Sequence, residues 1–265
     1  MRQEIAGAAQ AGALVTFIGL ARRHRLWIWA LLALVLIGWT FLAWMVLDMG
    51  HPLVQLMMPM SASWSFANAA AVLAMWAIMM AAMMLPSALP MLLQFVDLAR
   101  RNGEAARGRV FVGAYLLVWL VFSIVATTLQ WGLQAAGWTD PMAASRSAWL
   151  TAALLLLAGI YQFSPLKQAC LARCRTPIGF LLGEWRPGAR GALIMGLRHG
   201  LFCLGCCWAL MALLFVGGVM NLAWVAALAI VVALEKLLPR GAPLAAMMGL
   251  GLIGAGVFKL LAMLR

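Results

Sequence analysis

The chain has 265 residues, of which 66% are apolar and only 10% are charged, and its mean hydropathy is +1.00. These values exclude an ordinary soluble domain, because repeated long apolar runs are typical of membrane helices. The net charge of +12 does not indicate a nucleic-acid partner, because the Lys and Arg residues fall in short blocks between the apolar runs.

The basic blocks predict the topology of the chain. They lie at 2–25, 100–109, 167–190 and 236–240, whereas 48–66 contains no Lys or Arg. Cytoplasmic loops of membrane proteins carry an excess of these residues. The alternation therefore predicts a multi-pass protein with a cytoplasmic N-terminus, whose basic loops contact anionic lipid headgroups.

Seven apolar segments predict an all-α fold, a polytopic transmembrane helix bundle with six or seven spans. Residues 1–26 form a basic N-terminal segment on the cytoplasmic side, and residues 27–265 form one integral membrane helical domain. The predicted spans are 27–47, 67–96, 110–135, 147–163, 192–216, 219–238 and 242–261. If the last two segments instead form a re-entrant pair, the C-terminus is also cytoplasmic.

Residues 165–186 do not have the composition of a membrane span. The segment begins with Pro165, which favours the first turn of a helix, and it carries several basic residues. Pro177 should end or bend that helix. The pattern predicts an amphipathic helix at the cytoplasmic surface or a shallow re-entrant helix.

All five cysteines fall within 38 residues, as Cys170-x3-Cys174 and Cys203-x2-Cys206-Cys207. Helix positions i, i+4, i+7 and i+8 share one face, so His199 belongs to the second group. Thiolate and imidazole are ligands of soft and borderline transition metals. Simple packing of free cysteine is the alternative, but two groups in matching register favour a metal or redox site. The candidate metal ligands are Cys170, Cys174, His199, Cys203, Cys206 and Cys207.

A reactive dithiol is the nearest competing interpretation, since Cys203 and Cys206 have the Cys-x2-Cys spacing of thioredoxin-like motifs. A rise of 1.5 Å per residue places these thiols near the middle of the bilayer. A free thiolate is costly at that depth, which favours metal ligation or a neutral thiol.

The second predicted span is rich in methionine. Met75, Met79 and Met83 recur at i, i+4 and i+8, with Met84 on the adjacent arc. Thioether sulfur suits Cu(I) and costs little in hydrocarbon, although methionine also fills irregular cores. Met79 and Met83 are therefore candidate ligands, with packing as an equally supported alternative.

Three ionisable residues are predicted inside or at the ends of spans. Arg198 lies next to His199 and could stabilise a thiolate, while Glu235 could pair with a neighbouring residue or helix. We expect Lys236 to extend its ammonium group to the cytoplasmic headgroups.

Several motifs together resemble a bacterial family. They comprise Trp76, Met79, Met83, Met84 and Pro86; Tyr161, Gln162, Pro165, Leu166, Lys167, Cys170, Leu171, Cys174, Arg175 and Pro177; Gly200, Cys203, Gly205, Cys206, Cys207 and Trp208; and Gly218, Met220, Asn221, Glu235 and Lys236. In these residues the chain resembles an uncharacterised family of predicted metal-binding integral membrane proteins, built on a domain of unknown function. The resemblance implies a multi-pass protein of the bacterial inner membrane with a metal site.

The sequence thus predicts an integral membrane protein that binds, delivers or translocates Cu(I) or another soft transition metal. Copper is favoured, with zinc and iron as alternatives. Cys170 and Cys174 would capture the ion, the group around Cys203 would hold it, and Met79 and Met83 would extend the route outward.

The expected partners are the lipid bilayer and either a membrane complex or a soluble metal-delivery protein. Two other functions stay open: a structural or assembly subunit of a larger complex, and a redox protein using thiols, haem or an iron–sulfur centre. No phosphate-binding loop, dinucleotide fingerprint or nucleophile elbow occurs in the sequence. Whether the protein is an enzyme is left undecided.

Overall fold

A computed structural model describes residues 19, 24–61, 63–238 and 241–264. Over these ranges the chain forms helices and no β-strand, which confirms the predicted all-α bundle. The predicted basic segment 1–26 lies outside the described residues except for 19 and 24–26. The helices are α1 (Arg25–Leu47), α2 (Pro52–Met57), α3 (Phe66–Arg101), α4 (Arg107–Ala135), α5 (Ala148–Tyr161), α6 (Pro165–Arg175), α7 (Pro177–Glu184), α8 (Gly188–Ala212), α9 (Leu214–Gly217), α10 (Leu222–Leu237) and α11 (Gly241–Met263).

Within the described part of the chain, five helical stretches are long and apolar enough to cross a membrane: α1, α3, α4, α8 together with α9, and α11 from Pro243 onward. Helices α5 and α6 make a sixth span if they count as one, although their axes differ by 63°. The sixth predicted span, 219–238, is shorter than expected. The corresponding helix α10 has 16 residues, whereas a perpendicular crossing takes about 20.

Helix α3 is longer than its predicted span and continues for 36 residues through Pro86 and Pro90. It begins with a capping box, in which the Ser65 hydroxyl accepts from the Asn68 amide and the Asn68 side chain accepts from Ser65 N–H. Its predicted methionine face is fully buried in the core. The helix therefore supplies the central wall of the bundle.

Helix α8 packs very closely against α4. A Cβ atom at Gly196 would lie 2.5 Å from the carbonyl oxygen of Phe111, and one at Gly200 would lie 2.7 Å from Val118. Small residues permit this separation of membrane helices. The close approach holds Tyr115 of α4 against the cysteine-bearing face of α8.

The chain bends between α5 and α6, whose axes differ by 63°. The Ser164 hydroxyl caps α6 and Pro165 occupies its first turn. Pro177 begins α7, as predicted, immediately after α6 ends. Lys167 is 1% exposed, whereas Arg173 on the same helix is 51% exposed. Helix α6 therefore packs one face into the bundle and leaves the other face open.

Candidate metal centre

The two cysteine groups meet where α6 crosses α8. The Cys174 and Cys206 sulfur atoms are 4.0 Å apart, and a Cβ atom at Gly205 would lie 2.7 Å from the Cys170 sulfur. The Tyr161 hydroxyl, at the end of α5, donates to the Gly205 carbonyl at 2.5 Å. A flat surface helix would have kept the groups about 15 Å apart, by the helix rise and the bilayer thickness. The packing of α6 across α8 brings them together.

The three α8 thiols are buried side by side. Cys203, Cys206 and Cys207 are each at most 2% exposed, and all five cysteines are free. The Cys206 and Cys207 sulfur atoms each lie 3.0 Å from the Cys203 carbonyl oxygen. On the side facing α3, the Cys207 sulfur lies 4.0 Å from the Met84 sulfur.

Both sulfur pairs have a separation that one metal ion can bridge. With metal–sulfur distances of about 2.3 Å, two ligands lie about 3.8 Å apart in tetrahedral geometry and about 4.6 Å apart in linear geometry. The observed 4.0 Å falls between these values for Cys174–Cys206 and for Cys207–Met84. Thiolate and thioether are the soft ligands that favour Cu(I).

His199 lies in an aromatic pocket beside this cluster. Its ring is 5.7 Å from the rings of Tyr115 and Phe180 and 6.1 Å from that of Phe111. The residue is 3% exposed, and its Nδ1 atom has no hydrogen-bond partner among the described residues. A buried polar atom without a partner is costly. An imidazole nitrogen left free in this way fits the predicted role as a ligand.

Lys236 does not extend to the headgroups as expected. Its side chain is 6% exposed, and its ammonium group lies 3.0 Å from the Cys203 sulfur and 3.3 Å from the Ser87 hydroxyl. The Met84 sulfur is 3.8 Å away. The expectation was wrong because the α10 face that carries Lys236 packs against α3 and α8.

The preceding residue, Glu235, joins α10 to α6. Its carboxylate accepts from Lys167 at 2.6 Å and from Gln162 at 3.1 Å, with both charged groups at most 2% exposed. The Arg175 guanidinium donates to the Glu235 carbonyl at 2.8 Å. These contacts hold α6 in the position that brings Cys174 to Cys206.

Arg198 does not contact the thiols in the way considered from the sequence. It pairs with Glu184 of α7, and its side chain is 40% exposed. Two other contacts of the cluster were not expected. The Tyr115 hydroxyl lies 3.2 Å from the Cys203 sulfur, and Met84 contacts Cys207. The sequence signal for the Met84–Cys207 contact is the position of Met84 on the arc next to Met79 and Met83, both of which are buried. Nothing in the sequence indicates the contact between Tyr115 and Cys203.

The donor atoms are grouped in pairs in the described parts of the chain. There, no set of three or more His, Cys, Asp or Glu side chains is arranged to hold a metal ion. That arrangement differs from a closed structural zinc site, which needs four ligands around one point.

A comparison with protein families matches residues 73–259 to the PpoB2 family, described as "Copper chaperone". The matched segment exceeds half of the chain. The chain belongs to this copper chaperone family. The match spans all five cysteines, His199, Met84 and Lys236. Neither the curated proteins nor the solved structures contain a match.

Membership of the copper chaperone family supports the predicted association with copper and the coarser resemblance to a metal-related family. Together with the apolar helices, it identifies the chain as a copper-related protein with membrane-spanning character.

Proposed function

We propose that the protein binds Cu(I) as cargo inside the membrane and passes it between sulfur ligands. The observation that carries the proposal is the 4.0 Å contact between the Cys174 and Cys206 sulfur atoms. It joins a partly exposed thiol on α6 to a buried thiol on α8. An ion bound at Cys174 therefore has its next ligand within reach.

Transfer would proceed by exchange of ligands, with no change in the oxidation state of copper. Cys170 and Cys174 would receive Cu(I) from a soluble delivery protein or a partner in a membrane complex. Thiol protons leave as the metal binds. Cys206 and Cys207 would then replace the first ligands, with His199 and Cys203 beside them.

A sulfur path continues beyond the α8 thiols. Met84 lies next to Cys207, and the buried Met79 and Met83 follow on α3. Thioethers bind Cu(I) without carrying charge, so they suit the apolar interior. We assign the protein to the bacterial inner membrane, with a cytoplasmic N-terminus that puts the Cys174 end of the path at the cytoplasmic side.

Metal content of the purified protein tests the proposal. The chain isolated anaerobically in detergent from copper-supplemented cells should retain copper, measured by elemental analysis. The triple variant Cys203→Ser, Cys206→Ser, Cys207→Ser should lose most of it. Among the histidines, His199→Asn should weaken retention of copper. His51→Asn is the control variant, because His51 caps the short helix α2 and its hydrogen bond and ring contact are with Leu53 and Trp44.

Three outcomes would contradict the proposal. Wild-type protein without metal but with stable partners would favour an assembly subunit. Visible absorption bands would indicate haem or an iron–sulfur centre, because Cu(I) thiolates do not absorb there. Equal copper content in the triple variant and the wild type would exclude these cysteines as the ligands.

A further inference from the structure

Lys236 places a positive charge among the sulfur atoms of the proposed site. Its ammonium group lies 3.0 Å from the Cys203 sulfur and 3.8 Å from the Met84 sulfur. Cys207, whose sulfur is 4.0 Å from the same Met84 sulfur, completes the group. A buried ammonium is unfavourable in hydrocarbon unless an opposite charge offsets it.

The neighbouring carboxylate does not serve this purpose. Glu235 is turned about 100° around α10 from Lys236, and it pairs with Lys167 at 2.6 Å and accepts from Gln162. That ion pair is neutral as a whole. The Lys236 ammonium group therefore faces the sulfur atoms. The Ser87 hydroxyl contacts the ammonium group, and the Tyr115 hydroxyl contacts the Cys203 sulfur.

We propose that Lys236 sets the charge specificity of the site, so that a monovalent soft metal ion is preferred over a divalent one. The inference rests on the proposed function and adds the basis of metal selection. Two thiolates and one Cu(I) ion carry a net charge of −1, and the Lys236 ammonium brings the total to zero. A divalent ion with the same ligands leaves +1 in a buried, apolar environment, which is unfavourable.

The geometry makes the effect large enough to measure. A metal about 2.3 Å from the Cys203 sulfur would lie about 5 Å from the ammonium group. One additional unit charge at that distance, with an effective dielectric constant of about 20, changes affinity on the order of 100-fold. Relaxation and entry of water reduce this value, so we expect a change of tenfold or more.

Ag(I) and Cd(II) are the probes that isolate charge, because both are soft and have the same number of electrons. Their affinities are measured by competition titration on the full chain in detergent, and the Ag(I)-to-Cd(II) affinity ratio is compared among variants. Lys236→Leu removes the charge without adding a sulfur ligand and should lower this ratio at least tenfold. Lys236→Arg keeps the charge and should leave the ratio within about threefold of the wild-type value.

A second neutral variant keeps the test valid if the first variant fails to fold. Lys236→Gln removes the charge but keeps a donor for the Ser87 hydroxyl, and it should reproduce the ratio of Lys236→Leu. A wild-type ratio in both neutral variants would overturn the inference alone. An equal fall in the ratio for Lys236→Arg would also overturn it, since shape and not charge would then be responsible. If the wild-type chain binds neither probe through its cysteines, the proposed function fails as well.

Discussion

The buried pair between Lys167 and Glu235 should be essential for stability, and Lys167→Met tests this directly. The two charged groups are 2.6 Å apart and are 1% and 2% exposed. Removing the ammonium leaves the buried Glu235 carboxylate without its cationic partner at 2.6 Å. Breaking a buried pair in this way costs about 3–5 kcal/mol. Because Gln162 still donates to Glu235, we expect about 3 kcal/mol, the lower end of that range.

The assay is the free energy of unfolding from SDS titration in mixed micelles. Arg173→Met is the matched control, since it removes a cation from the same helix. Arg173 is 51% exposed and lies 3.4 Å from Glu184, so its loss should cost less than about 1 kcal/mol. The double variant Lys167→Met, Glu235→Gln should recover most of the lost stability. Equal costs for the two single variants, or no recovery in the double variant, would refute the reasoning.

Two further predictions concern the contact between α6 and α8. Gly205→Ala should separate these helices and cost about 1–3 kcal/mol, because the new Cβ would lie 2.7 Å from the Cys170 sulfur. Gly113→Ala is the control, because a Cβ atom at Gly113 would meet no atom within 4 Å, and it should be neutral or slightly stabilising. Equal stability of the two variants in SDS would contradict the steric argument. Mild oxidation with dithiodipyridine should link Cys174 to Cys206, whose sulfur atoms are 4.0 Å apart, and peptide mass spectrometry identifies the pair. Predominant linkage of another cysteine pair would contradict the proposed packing.

The apolar runs were enough to predict the helices, because burial in lipid or protein requires an unbroken hydrophobic surface along each of them. Their ends were less certain. Hydropathy ends the second predicted span near residue 96, whereas α3 continues to Arg101. Hydropathy does not mark this end, because a helix can continue beyond the apolar region with polar residues on its surface. The length of α10 was likewise overestimated by including the polar turn around Asn221.

The candidate site was predictable as a set of residues on shared helix faces, but its contacts were not. Helical periodicity places His199 and Cys203 on one face, yet it gives no information on which face of another helix lies opposite. The directions of Lys236 and Met84 depend on that tertiary packing. The predicted direction of the Lys236 side chain was therefore wrong. A long side chain at the end of a span extends to water when lipid surrounds it, but it turns inward when neighbouring helices offer polar atoms, as Ser87 and Cys203 do here.

The contact between Met84 and Lys236 can form only late in the synthesis of the chain. The two residues are 152 positions apart, so at about 5–20 residues per second the ribosome needs about 8–30 s to synthesise the intervening chain. During that interval the three α8 thiols emerge before the lysine that adjoins them in the folded protein. A released chain truncated before Lys236 should therefore expose alkylatable cysteines that the full chain conceals.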